Sequence, residues 1–299
     1  MNHKEEFLLE DSIETKEEKK PVKKRPALEV LVAAVEVNEV VLAEQMNLST
    51  NALICNQCQE TSYDEFERKG CLIRTISMKE RGVGKNRNRA LMSANASLVL
   101  FADDDIVYDD DYEEKIINAF EKNPVSDILL FNVSAVEGRM TYHIRKQGRV
   151  RWYNYGRYPT YAVCAKLDSL RRANVWFSLL YGGGAPYSNG EDSLFLRDCL
   201  KKKLRIDAVP IAIGQERKRK DQSSTWFTGY NRKFFYDRGV LYHDLYGHLQ
   251  RPLALRFLLA HKTTLCQDVS IKQAYHWMVE GMREVYHSIG RDQNGKDLT

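Results

Sequence analysis

Leu98-Val-Leu-Phe-Ala-Asp-Asp-Asp-Ile-Val-Tyr108 joins a short apolar run to three adjacent carboxylates, and the fold turns on how that junction is read. Leu98 to Phe101 has the unbroken apolar pattern of a strand buried on both faces of a parallel sheet. Asp103, Asp104 and Asp105 follow at once, where the strand would leave the sheet. Carboxylates held this close repel one another, and folding alone gives no reason to set them beside a core strand. A divalent cation relieves the conflict. Hard oxygen ligands suit Mg²⁺ or Mn²⁺, and open α/β sheets bind ligands beyond the carboxyl ends of their strands. A solvated acidic turn, with Asp109 to Asp111 capping the next helix, is the competing reading.

Working outward, Leu28 to Val35 is an earlier β-branched, buried strand, and residues 40–46 read as a helix. Apolar runs at 51–55 and 71–76 are further strands, separated by a polar loop from Asn56 to Ser62. Gly82-Val-Gly-Lys-Asn-Arg-Asn-Arg-Ala90 leads into a helical stretch over 90–96. The aspartate-bearing strand thus closes a strand–helix alternation, the pattern of a parallel α/β sheet. Beyond it, Asp111 is placed to cap a helix over 112–122, which Asn123-Pro124 stops. Residues 127–133 and 205–213 read as strands, 162–174 as a strand and helix, and 193–202 as a helix. The aromatic and basic stretch 137–161 is too irregular for more than hairpin and loop. Long helices are expected at 240–262, kinked or divided at Pro252, and at 268–289, with Gly290 as a C-cap.

Composition bounds the function. The chain has 299 residues with a formal net charge of +4, and no apolar stretch approaches the roughly 20 residues of a membrane span. Residues 1–26 alternate Lys and Glu with little to bury, and are expected to form a flexible tail. Three parts result: the tail 1–26, a catalytic domain 27–238 and a helical extension 239–299. The start lacks a signal-peptide apolar segment, so a cytoplasmic location is the expectation. Six irregularly spaced cysteines make no disulfide framework, and the lone Cys55-x-x-Cys58 pair reads as reduced structural thiols. Separated basic runs without a recognisable module argue against nucleic acid.

Three features stand in a telling order: Gly-x-x-x-x-Arg-Asn at Gly82 to Asn88, Asp-x-Asp at Asp103 to Asp105, and Gly-Glu-Asp at Gly190 to Asp192, about 85 residues further on. From residue 28 to 213 this resembles the GT-A glycosyltransferases, specifically the inverting family 2 group of bacterial polysaccharide synthesis. The resemblance implies a Rossmann-like mixed sheet flanked by helices, here with a C-terminal helical extension. It also implies a nucleotide-diphosphate sugar donor, a saccharide or lipid-linked acceptor and a divalent cation. Carried over by position, Asp105 and Asp103 are implied at the metal, with Asp103 and Asp104 also toward the donor. Arg87 and Asn88 line the nucleotide site, and Asp192, after Glu191, takes the acceptor's proton. Gly183 and Gly184 shape the pocket for donor sugar and acceptor.

Physical chemistry supports these roles independently. A departing diphosphate needs a Lewis acid, and a hydroxyl nucleophile gains from a positioned carboxylate base. Asp192 in the first turn of a helix is stabilised as an anion, although good helix N-terminal residues need no chemistry to stand there. Lys85, with Arg87, is placed to meet a diphosphate. The chain also departs from the family. Ala33-Ala34-Val35-Glu36 replaces a Pro-Thr-Tyr-Asn-like segment, leaving Val35 at the donor wall. Asn56 or Gln57 stands where an Asp meets the base or ribose, and Gln215-Glu216-Arg217 stands where a His is common. Uridine remains the expected base, and Lys218, Lys220 or Ser223-Ser224 are candidates to hold the diphosphate. Trp152, Tyr155, Trp226 and Tyr230 are potential sugar platforms, with ordinary packing the simpler reading for each. A sugar nucleotidyltransferase and an inactive sugar-nucleotide-binding module are the alternatives. The C-terminal helices carry no family motif. Covering the acceptor site, forming a homodimer and touching the inner face of a cell membrane are the roles open to them.

Overall fold

The computed structural model describes residues 27–136, 142–217 and 229–289. The expected flexible tail 1–26, Lys218, Lys220, Ser223-Ser224, Trp226 and the Gly290 C-cap lie outside them. In chain order the elements are β1 (Leu28–Val35), α1 (Glu39–Gln45), β2 (Asn51–Gln57), β3 (Ser62–Arg68), β4 (Cys71–Met78), α2 (Val83–Ser93), β5 (Leu98–Asp103), β6 (Ile106–Tyr108) and α3 (Tyr112–Lys122). There follow β7 (Ile128–Ser134), β8 (Gly148–Arg149), β9 (Val163–Lys166), α4 (Leu167–Ala173), α5 (Glu191–Lys201) and β10 (Ile206–Glu216). A helical run ends the chain: α6 (Arg232–Tyr246), α7 (Gln250–Ala260), α8 (Lys262–Leu265) and α9 (Ile271–Ile289).

The strands form one sheet in the order β3-β4-β2-β1-β5-β9-β7-β10-β6, with β8 on β10. β4, β2, β1 and β5 run parallel, as the apolar runs predict. In β1, Ala33 pairs with Asp103 of β5 and Val35 with Gln57 of β2. Register alone therefore lines up Val35, Gln57 and Asp103 along the carboxyl edge of the sheet. Antiparallel β9, between β5 and β7, makes the sheet mixed.

Several elements differ from the sequence expectation, each for a physical reason. β3 reads Ser-Tyr-Asp-Glu-Phe-Glu-Arg, too charged to look like a strand, because it forms the antiparallel edge, where charges guard against further pairing. The polar loop expected from Asn56 begins later, since β2 continues through Gln57. β6 folds back along β10, so Asp103 ends β5 and Asp104 and Asp105 form a tight turn between β5 and β6. Asp111 stands at the N-cap of α3 but makes no capping hydrogen bond; its carboxylate pairs with Lys115 at 2.8 Å. Helix α2 starts at Val83, seven residues before the predicted run, because Gly82 rather than a polar side chain marks its start.

The C-terminal helices divide at Gly247, whose positive φ of 49° ends α6, rather than at Pro252. Pro252 lies in the first turn of α7, where a missing N–H costs little. The expected boundary at residue 239 falls inside α6. Helices α6 to α9 bury their own core, including Phe235, Ala254, Leu258, Ala274 and Met278. Helix α6 also reaches the sheet domain, since Val240 and Leu241 pack on Tyr181 and Leu194. Its Asp237 accepts hydrogen bonds from the backbone N–H of Ser188 (2.9 Å) and from Lys233 (2.8 Å). Backbone meets backbone where α6 crosses α9: a Cβ on Gly239 would lie 2.0 Å from the carbonyl oxygen of Met278. Gly239→Ala is thus expected to lower unfolding stability by about 1–3 kcal/mol or more, read by denaturant titration. No helix among the described residues is long and apolar enough to cross a membrane.

Candidate active site

Three phenylalanines bring the separated motifs together. Phe177 stacks on Phe195 with ring centroids 4.1 Å apart, and both meet Phe101 edge-on at 5.2 and 5.7 Å. Phe101 lies two residues before Asp103 on β5, so both side chains leave the same face of the strand. Phe195 lies three and four residues after Asp192 and Glu191 on α5, so those side chains share one face of the helix. Asn88 of α2 fastens Phe177 by both backbone groups, accepting from its N–H (2.8 Å) and donating to its carbonyl (2.9 Å). Packing apolar rings therefore converges the carboxylates of two distant segments on α2.

Arg87 stands at the convergence, its side chain only 5% exposed. One guanidinium nitrogen (Nη2) donates to Asp103 Oδ1 at 2.8 Å, and the other (Nη1) reaches Glu191 Oε1 and Asp192 Oδ1 at 3.2 Å each. The guanidinium carbon lies 5.4 Å from the centre of the Phe177 ring. Burial opposes the charge on Arg87, but Asp103, Asp192 and Glu191 together raise its pKa above the ordinary value, so it stays protonated. Three carboxylates share that one cation. The surplus negative charge shows at Glu191, whose carboxyl is pushed up to about 7 by burial and by Asp192, against the pull of Arg87.

A testable pH dependence follows. Because the folded pKa of Glu191 is raised, the folded chain holds that proton more tightly than the unfolded one. Its contribution to stability is fully present below the ordinary carboxylate range and is lost as pH rises through about 7. Thermal unfolding of the wild type should weaken across that window, and Glu191→Gln should flatten the dependence.

Asp192 has a second partner. Thr160, on a short 3₁₀ turn over Thr160–Ala162, donates from its hydroxyl to Oδ1, the same oxygen that meets Arg87. Oδ2 has no hydrogen-bond partner among the described residues, and the side chain is 32% exposed. A carboxylate fixed through one oxygen and open at the other is placed to accept a proton. Asp103 is held likewise through Oδ1 by Arg87. Nothing in the sequence marked Thr160, since no spacing rule links it to Asp192.

The remaining candidates are distributed along the same edge. The carbonyl of Gly183 accepts from the Val83 N–H at 2.8 Å, satisfying one of the free donors at the start of α2. Gly184 has φ +78°, and a Cβ there would come 3.0 Å from the Gly82 nitrogen, so the glycine loop and the helix start fit only without side chains. Gln57 accepts from the Gly82 N–H at 2.7 Å. Lys85 is exposed on the first turn of α2, whereas Asn88 is engaged with Phe177. The amide of Asn56 is occupied by the backbone of Val37 and by Glu39, so it braces the segment after β1. Val35 and Asp104 line a cleft of about 350 Å³ with Val37, Val41, Gln45 and Arg217. Arg217 donates from its side chain to the Asp104 carbonyl (3.3 Å) and from its N–H to the Asp105 carbonyl (2.6 Å). Arg217, the last of the three residues that stand where a His is common, thus clasps the aspartate turn.

Of the aromatic platforms, Tyr155 is buried, Trp152 is 70% exposed, and Tyr230 packs edge-on against Phe234. Cys55 and Cys58 form no disulfide, and burial pushes the Cys55 thiol up to about 12.

No three His, Cys, Asp or Glu side chains among the described residues form a metal cage. The donor set suits a hard cation all the same. Mg²⁺ is commonly held by one or two carboxylates plus substrate phosphates and water, and Asp103 presents an oxygen that no donor among the described residues occupies.

Residues 59–174 match the family model of glycosyl transferase family 2, a span that holds Arg87 and Asp103 to Asp105 but not Glu191 and Asp192. The fold is that of a crystal structure of S. aureus TarS 1-349 in complex with UDP-GlcNAc. The TM-score is 0.58 at 15% identity, over 88% of this chain and 83% of that one. Against the structure of S. aureus TarS itself the TM-score is 0.54 at 14% identity, over 88% of this chain but 50% of that one. A mannosyltransferase from Pyrobaculum calidifontis, in complex with GDP-Man and Mn²⁺, overlaps at a TM-score of 0.44 and 12% identity, over 91% and 78% of the two chains. No curated protein sequence matches the chain.

Proposed function

We propose that the chain is a glycosyltransferase that moves a sugar, with inversion, from a nucleotide-diphosphate donor to a hydroxyl of a saccharide or lipid-linked acceptor; the family 2 match over residues 59–174 and the fold it shares with TarS support this reading. The observation that carries the reading is buried Arg87, which gathers Asp103 at the strand end and Glu191 and Asp192 at the helix start into one partly buried cluster. A pure binding module has no use for a carboxylate locked through one oxygen and open at the other.

In this reading Asp192 Oδ2 takes the proton of the acceptor hydroxyl as its oxygen attacks the anomeric carbon. Thr160 and Arg87 keep the carboxylate from turning. One base on the face opposite the leaving group yields direct displacement, and so inversion. Asp103 and Asp105 would hold a divalent cation, which when bound supplies a Lewis acid to the diphosphate leaving group. Lys85 adds positive charge near the same phosphates, and Gly183 and Gly184 bound the sugar pocket. Val35 and Gln57, at the ends of β1 and β2, border the base. The S. aureus protein of like fold holds UDP-GlcNAc, which makes UDP-sugars the donors to try first.

The test is turnover of a panel of nucleotide-sugars with Mn²⁺, comparing wild type with Asp105→Ala. One donor should be consumed by the wild type, and the variant should lose at least about 100-fold in rate, the scale on which a single electrostatic stabiliser acts. Equal turnover by both would remove Asp105 from the site.

A further inference from the structure

We propose that the outward face of α7 docks on an anionic lipid surface. A helix at a protein surface ordinarily turns one apolar stripe inward and a polar face to water. Helix α7 is apolar on both sides. Ala254 and Leu258 point inward and are fully buried in the helical core. Leu255 and Leu259, one turn apart, face outward and are 42% and 57% exposed, and Leu249 just before the helix is 53% exposed. About half of each of these side chains is left open to solvent, and three large leucines on one short segment are more than scattered surface apolar residues.

Charge indicates what covers them. From residue 247 to 267 there is no Asp or Glu, although acids make up 41 of the 299 residues. The same stretch carries Arg251, Arg256 and Lys262, all exposed. On neighbouring α6 the exposed cations are paired, Arg232 with Glu280 and Lys233 with Asp237. Those of α7 make no ion pair among the described residues. Exposed leucines framed by unpaired cations match an interface that offers acyl chains beneath phosphate headgroups, where a helix lies in the plane of the bilayer. A second copy of the chain fits less well. A two-fold interface sets the patch against itself, and would bring Arg251, Arg256 and Lys262 against their own counterparts. The proposal is independent of the transfer reaction, since it rests on the helical module and needs no donor.

The test is co-sedimentation of the full chain with vesicles of phosphatidylcholine alone, or of three parts phosphatidylcholine to one part phosphatidylglycerol, at low and high salt. Binding is expected to the anionic vesicles only, weakening at high salt. Arg251→Gln with Arg256→Gln should lower the partition at least about tenfold, and Leu255→Ser with Leu259→Ser should do the same, with circular dichroism unchanged. Failure to bind anionic vesicles overturns the proposal, as does binding that both double variants retain. Loss of a dimer in the leucine variant, without vesicle binding by the wild type, overturns it in favour of an interface between copies. Donor turnover, measured without vesicles, should be the same in all these variants, so failure here and failure of the transferase reading are told apart.

Discussion

Asp192→Asn should bind a nucleotide-sugar as the wild type does and transfer its sugar about 10²- to 10⁴-fold more slowly, the range a positioned general base contributes. The substitution is nearly isosteric. An amide oxygen in the place of Oδ1 can still accept from Thr160 and Arg87, so the start of α5 should keep its position. What is lost is the oxygen that can take a proton, because an amide nitrogen in the place of Oδ2 only donates. Donor binding by titration calorimetry and transfer by single-turnover kinetics separate the two effects. Equal loss of binding and transfer would make Asp192 a structural anchor. Full transfer would move the base to another residue, with Glu191 the next to test.

Arg87→Met should have the largest effect on stability, a loss of about 3–5 kcal/mol at neutral pH, as for removal of one partner from a buried charge network. Methionine fills much of the volume and keeps an apolar contact with Phe177, so the cost is mainly that Asp103, Glu191 and Asp192 then face one another without a cation. Arg87→Lys should fall between, because an ammonium on a flexible stem cannot present two nitrogens to separate carboxylates. Lowering the pH should rescue both variants in part, since Glu191, whose carboxyl burial already raises, takes up a proton. Urea unfolding at pH 5 and pH 7.5 is the measurement. Undiminished stability of Arg87→Met at both pH values would show that the three carboxylates do not depend on Arg87.

These expectations show what the amino-acid text reveals and what it hides. The apolar run before Asp103 was legible because a buried parallel strand has one simple pattern, and the three motifs stood in order along the chain. Their convergence on Arg87 was not legible. It depends on Phe101 of β5, Phe195 of α5 and Phe177 of the loop between α4 and α5 packing together, and no periodicity relates Phe177 to the other two. Asn88 was read as lining the nucleotide site, yet its side chain fastens the backbone of Phe177, so it acts by holding Arg87's platform in place. The amide of Asn56 is likewise turned to Val37 and Glu39. Polar residues near a strand end look alike in sequence whether they meet a ligand or the backbone, and only the partner distinguishes them. Edge strand β3 was hidden by its charges, which protect the sheet edge. The bracing of the 182–190 loop by α6 was hidden because Asp237 and Ser188 lie 49 residues apart.

In the proposed reaction Asp103 and Asp105 mark the cation and diphosphate end of a sugar-nucleotide site. The most direct test of that placement is equilibrium binding of UDP to the full chain, with Mn²⁺ and with chelator, for wild type and Asp105→Ala. Binding should require the cation and be lost in the variant. UDP binding that is indifferent both to Mn²⁺ and to Asp105→Ala would contradict that placement.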